Sequence, residues 1–148
     1  DAGGAGLITP DLIPDEAAEW RAAAASHGVA PIFLVAPSST PERLAMTAGA
    51  TRGFVYVAST MGVTGARAEV GSGARELVGR TREVTDLPLC VGLGVSTGDQ
   101  AAEVASFADG VIVGSALVRV LGDGRGDRDE LAALRSLTAE LAEGVRRR

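Results

Sequence analysis

Short apolar runs alternate along this chain with segments whose apolar residues recur at helical spacing. Each run has the length of a strand and is too short for a helix. The run PIFLVAP at residues 31–37 is continuous and bounded by prolines, which is typical of a strand buried on both faces. The pattern predicts five strands, at residues 7–12, 31–37, 53–59, 88–95 and 110–114.

The segments between these runs carry the signals of helix ends. Pro14 followed by Asp15 and Glu16 suits a first helical turn, because proline fits there and acids favour the positive end of the helix dipole. Thr40 and Pro41 supply a cap and a first residue in the same way. The predicted helices cover residues 14–27, 41–49, 72–85, 97–107, 115–121 and 129–145, the last with an apolar stripe of Leu131, Leu134, Leu137, Leu141 and Val145.

Alternating strands and helices predict a parallel sheet with right-handed crossovers, in a single α/β domain over residues 1–148. A doubly wound sheet and part of a (β/α)8 TIM barrel both fit this order. The barrel is favoured because its phosphate site uses loops after the last strands and the start of a short extra helix. Here Gly114 and Ser115 lead from the last predicted strand straight into such a helix. No GxGxxG pattern with a later acid supports a dinucleotide fold.

The composition narrows the class of partner. The net charge is −5, which argues against nucleic acid or an anionic membrane, since both attract basic surfaces. No run of 18 apolar residues and no signal peptide are visible. The only cysteine, Cys90, cannot form an internal disulfide and is predicted to be a small buried residue. We expect a cytoplasmic protein.

Glycines beside hydroxyl residues follow three consecutive predicted strands. Their backbone N–H groups could converge on a phosphate dianion, although any one of them could equally be a simple turn. Asp11 is the only acid at the carboxyl end of a predicted strand, where it could be a functional or a capping residue. No metal-ligand cluster, no second carboxylate at a strand end and no lysine for a Schiff base is present. The phosphate candidates are Gly65, Gly94, Gly114 and Ser115.

Four segments, PIFLVAPSSTPERL, GFVYVASTMGVTGAR, VGLGVST and GVIVGSALV, resemble the α subunit of tryptophan synthase. The similarity covers essentially the whole chain, from the fourth strand of the family's barrel to the C-terminus. It implies strands 4–8 of a (β/α)8 barrel and a lyase of tryptophan biosynthesis. That lyase cleaves indole-3-glycerol phosphate to indole and glyceraldehyde 3-phosphate.

The resemblance also implies roles for individual residues. The phosphate of the substrate would be held by Gly65, Gly94, Gly114 and Ser115. Thr64 would belong to a mobile loop that orients a catalytic Asp, and Tyr56 would lie beside the reacting centre. The indole pocket would be lined by Ile8, Leu34 and Leu93, with Leu93 replacing the more common Phe.

The family's catalytic Glu and Asp come from the second strand and the following loop, which would precede Asp1. We therefore expect a fragment with no catalytic carboxylate pair, inactive as an isolated chain. The resemblance implies a β subunit as partner in an α2β2 heterotetramer. Pyridoxal phosphate would belong to that subunit, with no cofactor and no metal in this chain. Two alternatives stay open: a non-catalytic phosphate-binding module that self-associates, and a ribulose-phosphate-type isomerase, against which the GVTG loop argues.

Overall fold

The computed structural model describes residues 3–58, 71–92, 94–122 and 127–147. Every strand pair in this part of the chain is parallel. Parallel strands need helical crossovers, which the intervening segments supply. The strands are β1 (Gly6–Ile8), β2 (Ala30–Ile32), β3 (Leu34–Val35), β4 (Val55–Ala58), β5 (Leu89–Gly92) and β6 (Gly110–Val111).

The segment predicted as one strand at residues 31–37 has two pairing partners. Its first part, β2, pairs with β1, and its second part, β3, pairs with β4. Only Phe33 separates the two parts. The described strands thus form a two-stranded sheet, β1–β2, and a four-stranded sheet in the order β3, β4, β5, β6. The five predicted strand positions are therefore confirmed, with a change of neighbour inside the second.

The described residues contain one 3₁₀ turn and six helices, of which the first four lie between strands and the last two follow β6. The 3₁₀ turn at Pro14–Glu16 replaces the predicted first helical turn, and Ala17 separates it from α1. The short helix predicted directly after the last strand is present with the predicted bounds. No described helix is long and apolar enough to cross a membrane. The helices are α1 (Ala18–Ser26), α2 (Pro41–Ala50), α3 (Gly71–Arg82), α4 (Gly98–Ala105), α5 (Ser115–Leu121) and α6 (Asp127–Arg146).

The two faces of the sheet differ in burial because alternate residues of a strand point to opposite sides. One face is fully buried in the main core beneath the helices, and it carries Val35, Val55, Val57, Leu89 and Val91. The opposite face is only partly buried at the register-matched positions Leu34, Tyr56, Cys90 and Gly110. The strands are thus covered by helices on one side and partly open on the other, which is the side that would line the interior of the predicted barrel.

A second, smaller cluster lies beside the main core. It consists of Ala17, Phe33 and Ala50, with Leu12 and Trp20 packed against them. The Trp20 and Phe33 rings meet edge to face, with their centroids 5.8 Å apart. This cluster packs α1 and the residues around the preceding 3₁₀ turn against Phe33, which lies between β2 and β3.

Candidate functional site

Gly94 follows β5 in a backbone conformation that favours glycine. Its φ is 102°, which lies in the region that side chains with a Cβ rarely adopt. The residue is half-buried, so its backbone is reachable from the open end of the sheet. The turn predicted from the VGLGVST segment therefore requires a glycine at this position.

Gly114 and Ser115 follow the strand next to β5. The last registered pair is Val91 with Val111, and Ile112 N still donates to Val91 O at 2.8 Å, so Gly94 and Gly114 both lie just past the carboxyl ends of adjacent strands. Gly114 is the N-cap of α5, and its carbonyl oxygen accepts hydrogen bonds from Leu117 N at 3.0 Å and Val118 N at 3.1 Å. A Cβ at Gly114 would meet no atom within 4 Å. The structure thus brings two of the predicted glycines to one edge of the sheet, with open space in front of Gly114.

Tyr56 lies on the open face of the sheet, beside the glycine of the next strand. A Cβ at Gly92 would overlap the Tyr56 hydroxyl and ring, so the phenol extends across β5. Burial raises the pKa of the Tyr56 phenol. The hydroxyl is therefore protonated at neutral pH and can both donate and accept a hydrogen bond.

Ile8 and Leu34 lie on the same face as Tyr56. The register pairs Ile8 with Ile32 and Leu34 with Tyr56, and side chains at paired positions point to the same side. Ile8 is 37% exposed, and Leu34 is half-buried. The described members of the predicted indole pocket therefore share one surface. Thr64, Gly65 and Leu93 lie outside the described residues.

The start of α4 is held by a dense set of hydrogen bonds directly after Gly94. The Gln100 side-chain oxygen accepts from Ser96 N at 2.8 Å and from Thr97 N at 3.3 Å. The Thr97 hydroxyl accepts from Gln100 N at 3.3 Å, which completes a capping box. The carboxylate of Glu140, on α6, accepts from Gly98 N at 2.7 Å.

The sequence predicted that a helix begins at Thr97 but did not identify Gln100 and Glu140 as residues that cap it. Gln100 was visible in principle, because a Thr followed three residues later by Gln is the signature of a capping box. Glu140 had no such local signal, since it is 42 residues away from Gly98 in the chain. Contacts of that range depend on how α4 and α6 pack, which spacing along the sequence does not reveal.

Asp11 and the cavity beside β2 place no catalytic group near Gly94 and Gly114. Asp11 is exposed three residues beyond β1. A cavity of about 750 Å³ lies at the opposite, amino end of β2, where Arg21 and Arg52 contribute its charged groups. Among the described residues, no group of three or more His, Cys, Asp or Glu side chains could hold a metal ion.

Comparison with known proteins gives the same family at the level of sequence and structure. The family model for the tryptophan synthase alpha chain matches residues 1–146. The alpha chain of Mycobacterium intracellulare is 66% identical over 147 residues, which are 99% of this chain and 52% of that protein. This chain therefore spans about half the length of the curated relatives that it matches.

Solved structures agree with the fold. A tryptophan synthase structure from Mycobacterium tuberculosis has a TM-score of 0.85 and 62% identity, over 97% of this chain and 52% of that one. A chain of the tryptophan synthase α2β2 complex from Pyrococcus furiosus has a TM-score of 0.80 and 35% identity, over 93% and 55%. The predicted α/β class and partial (β/α)8 barrel are confirmed. The chain belongs to the tryptophan synthase alpha chain family.

Proposed function

We propose that this chain supplies the phosphate-binding loops and part of the indole-binding pocket of an α subunit. That subunit cleaves indole-3-glycerol phosphate to indole and glyceraldehyde 3-phosphate. The observation that carries the proposal is that Gly94, at positive φ, and Gly114, the N-cap of α5, follow the carboxyl ends of the adjacent parallel strands β5 and β6. Backbone N–H groups freed at such turns form concavities for anions. Ser115 adds a hydroxyl, and Gly65 completes the proposed set.

The indole ring would lie against the partly exposed inner face of the sheet. Ile8, Leu34 and Leu93 provide its apolar contacts in this proposal, and the first two share the face of Tyr56. The protonated Tyr56 hydroxyl lies close to the reacting centre and orients the substrate. Thr64 would act from the loop that closes over the site.

Proton transfer is the part of the reaction that this chain does not supply. The cleavage must protonate the indole ring and remove a proton from the substrate, and each positioned group typically contributes about 10²- to 10⁴-fold. Asp11 alone cannot serve two separated atoms. Binding that is equally strong in ground and transition states leaves the rate almost unchanged. The 148-residue chain alone is therefore proposed to be inactive.

The direct test follows indole release from indole-3-glycerol phosphate by a colour reaction. We expect no release by the chain alone and measurable release after adding a separate polypeptide with barrel strands one to three. A heat-denatured sample of that polypeptide is the control. Turnover by the isolated chain would show that its catalytic groups have been misassigned.

Phosphate binding is tested separately, by calorimetry with glycerol 3-phosphate. Gly94→Val should block the approach of the phosphate, but it also strains the backbone. Gly114→Ala is the cleaner variant because its Cβ meets nothing in the unbound protein. Loss of one hydrogen bond to a charged group costs about 1.5–3 kcal/mol, so affinity should fall at least about tenfold. Unchanged affinity in both variants would remove these glycines from the site.

The partner in this proposal is a β subunit, in an α2β2 assembly located in the cytoplasm. Pyridoxal phosphate does not fit this chain as a Schiff base, because the sequence contains no lysine. The cofactor therefore belongs to the β subunit, and this chain takes neither cofactor nor metal. Co-elution with a purified β subunit on size exclusion tests the partnership.

A non-catalytic module that self-associates is the second candidate. Its support is the exposed strand β1, where Leu7 is 52% and Ile8 37% exposed. The two candidates differ in the complementation assay above. A self-associating module gives no indole with the added polypeptide, whereas half of an α subunit does.

A further inference from the structure

The contact between α4 and α6 includes a hydrogen bond from a backbone N–H of one helix to a carboxylate of the other. Glu140 of α6 places a carboxylate oxygen 2.7 Å from the backbone nitrogen of Gly98, the first residue of α4. The first N–H groups of a helix have no partner within it and attract negative charge. Glu140 therefore acts as a cap supplied by another helix, beyond the capping box of Thr97 and Gln100.

The geometry of this contact leaves little freedom. A Cβ at Gly144 would overlap the Gly98 carbonyl group, and a Cβ at Gly98 would lie 2.8 Å from the carbonyl oxygen of Glu140. Both glycines are buried. The two backbones can approach this closely only because neither residue has a side chain. The carboxylate thus reaches Gly98 from a fixed distance.

One end of this contact lies shortly after the Gly94 turn, and the other lies on α6, which packs against the helix that follows Gly114. Gly98 lies four residues after Gly94, and residues Ser96 and Thr97 between them are tied to Gln100. On the other side, α6 packs against α5, which begins at Ser115. The Glu140–Gly98 hydrogen bond therefore joins the segment that follows β5 to the helix pair that follows β6.

We propose that Glu140 is a positioning residue for phosphate-ester binding. It sets the spacing between the Gly94 turn and the Gly114–Ser115 turn without touching the ligand. The inference rests on the proposed phosphate site and deepens it. Displacement of binding groups by about 1 Å can cost up to about 10²-fold in enzymes, so a support at this distance has a measurable effect.

The chain offers a matched control on the same pair of helices. Arg147 Nη2 contacts Asp99 Oδ1 at 2.9 Å, again between the end of α6 and the first turn of α4. The Asp99 side chain is 89% exposed, so this pair is solvated and holds no backbone group of the loop. Arg147→Ala removes an α4–α6 contact but leaves the Gly98 N–H bonded.

The experiment measures the dissociation constant of glycerol 3-phosphate for four forms of the chain by calorimetry. Glu140→Ala should raise it about tenfold, and Glu140→Gln about threefold, because a neutral amide oxygen still accepts more weakly. Arg147→Ala should match the wild type. Thermal unfolding of all four forms runs in parallel, because a purely structural role lowers Tm and leaves affinity unchanged. Wild-type affinity in Glu140→Ala, or an equal loss in Arg147→Ala, overturns the proposal.

Amide NMR separates this proposal from the one on which it rests. In Glu140→Ala the Gly98 and Gly94 amide signals should both move, and in Arg147→Ala the Gly94 signal should stay. If the wild-type chain binds no glycerol 3-phosphate, the phosphate assignment fails. The amide signals of Gly98 and Gly94 then still test whether Glu140 positions the Gly94 turn. A Gly94 signal that does not respond to Glu140→Ala counts against positioning in either case.

Discussion

Gly94 and Gly79 are expected to affect stability in opposite directions. Gly94 has a φ of 102°, where a residue with a Cβ is strained by about 1–2 kcal/mol. Gly79 is exposed within α3, and a Cβ there would meet no atom within 4 Å. Alanine favours a helix interior over glycine by about 0.5–1 kcal/mol. Urea denaturation should show Gly94→Ala destabilised and Gly79→Ala stabilised, and a shift of both in one direction would contradict this reading.

Cys90 should react slowly with alkylating agents. Burial raises the pKa of its thiol, and the negative charge of Asp109 raises it further. The thiolate is the reactive form, so the native chain should be alkylated by iodoacetamide at pH 8 more slowly than the urea-unfolded chain. Equal rates in the two states would contradict the burial seen here.

The raised pKa of the Cys90 thiol makes the free energy of unfolding fall as the pH becomes alkaline. Folding favours the neutral thiol, so the contribution is complete below the unfolded pKa, about 8.5, and is lost as the pH rises above it. Tyr56 adds a loss of the same sign at higher pH, since its pKa is also raised. Cys90→Ala should flatten the first part of the decline, which urea titrations between pH 8 and pH 10 would reveal.

Residue chemistry was readable from the sequence where a pattern is local. Gly94 and Gly114 follow apolar runs and were predicted as turn glycines at one edge of the sheet. The pairing of Tyr56 with a space above Gly92 was not readable, because it depends on the register of two strands. The hydrogen bond between Glu140 and Gly98 was not readable either, because it depends on the packing of two helices that are distant in the sequence.

At the scale of elements, the cap of α4 gives a prediction with an internal control. The Thr97 hydroxyl accepts from Gln100 N, so Thr97→Ala should destabilise the chain by about 0.5–2 kcal/mol. The Thr138 hydroxyl instead donates to Leu134 O within α6, and that residue is exposed. Alanine has the higher helix propensity, so Thr138→Ala should be neutral or stabilising. Chemical denaturation that gives equal losses would show that the cap contributes nothing.

Elements were predicted best where their ends carry a signal. The glycine before Ser115 and the one after Leu121 bound α5, and its range agrees with the prediction. The 3₁₀ turn at Pro14–Glu16 was read as helix, because proline and acids favour the first turn of both. The division of the second strand between two neighbours has no sequence signal, because it depends on which strands lie beside each part of the segment in the fold.

At the scale of the whole molecule, the isolated chain should associate with itself or bind a hydrophobic dye. Among the described residues, β1 is an edge of the two-stranded sheet and β6 an edge of the four-stranded sheet, and unpaired edges template further pairing. Leu7 and Ile8 on β1 are exposed. Light scattering should detect dimers or larger species, and the dye signal should fall on adding the polypeptide with strands one to three. A dye-negative monomer would contradict this expectation.

The small cluster around Phe33 contains a tryptophan whose fluorescence can report on local unfolding. Trp20 is the single tryptophan of the sequence, and it packs in that cluster and not in the main core. Its emission therefore follows the contact between α1 and the second strand, while circular dichroism follows the backbone as a whole. Any difference between the two unfolding curves measures how far that corner loosens independently of the rest. The chain thus needs no added label to reveal whether it unfolds as one cooperative unit or in two steps.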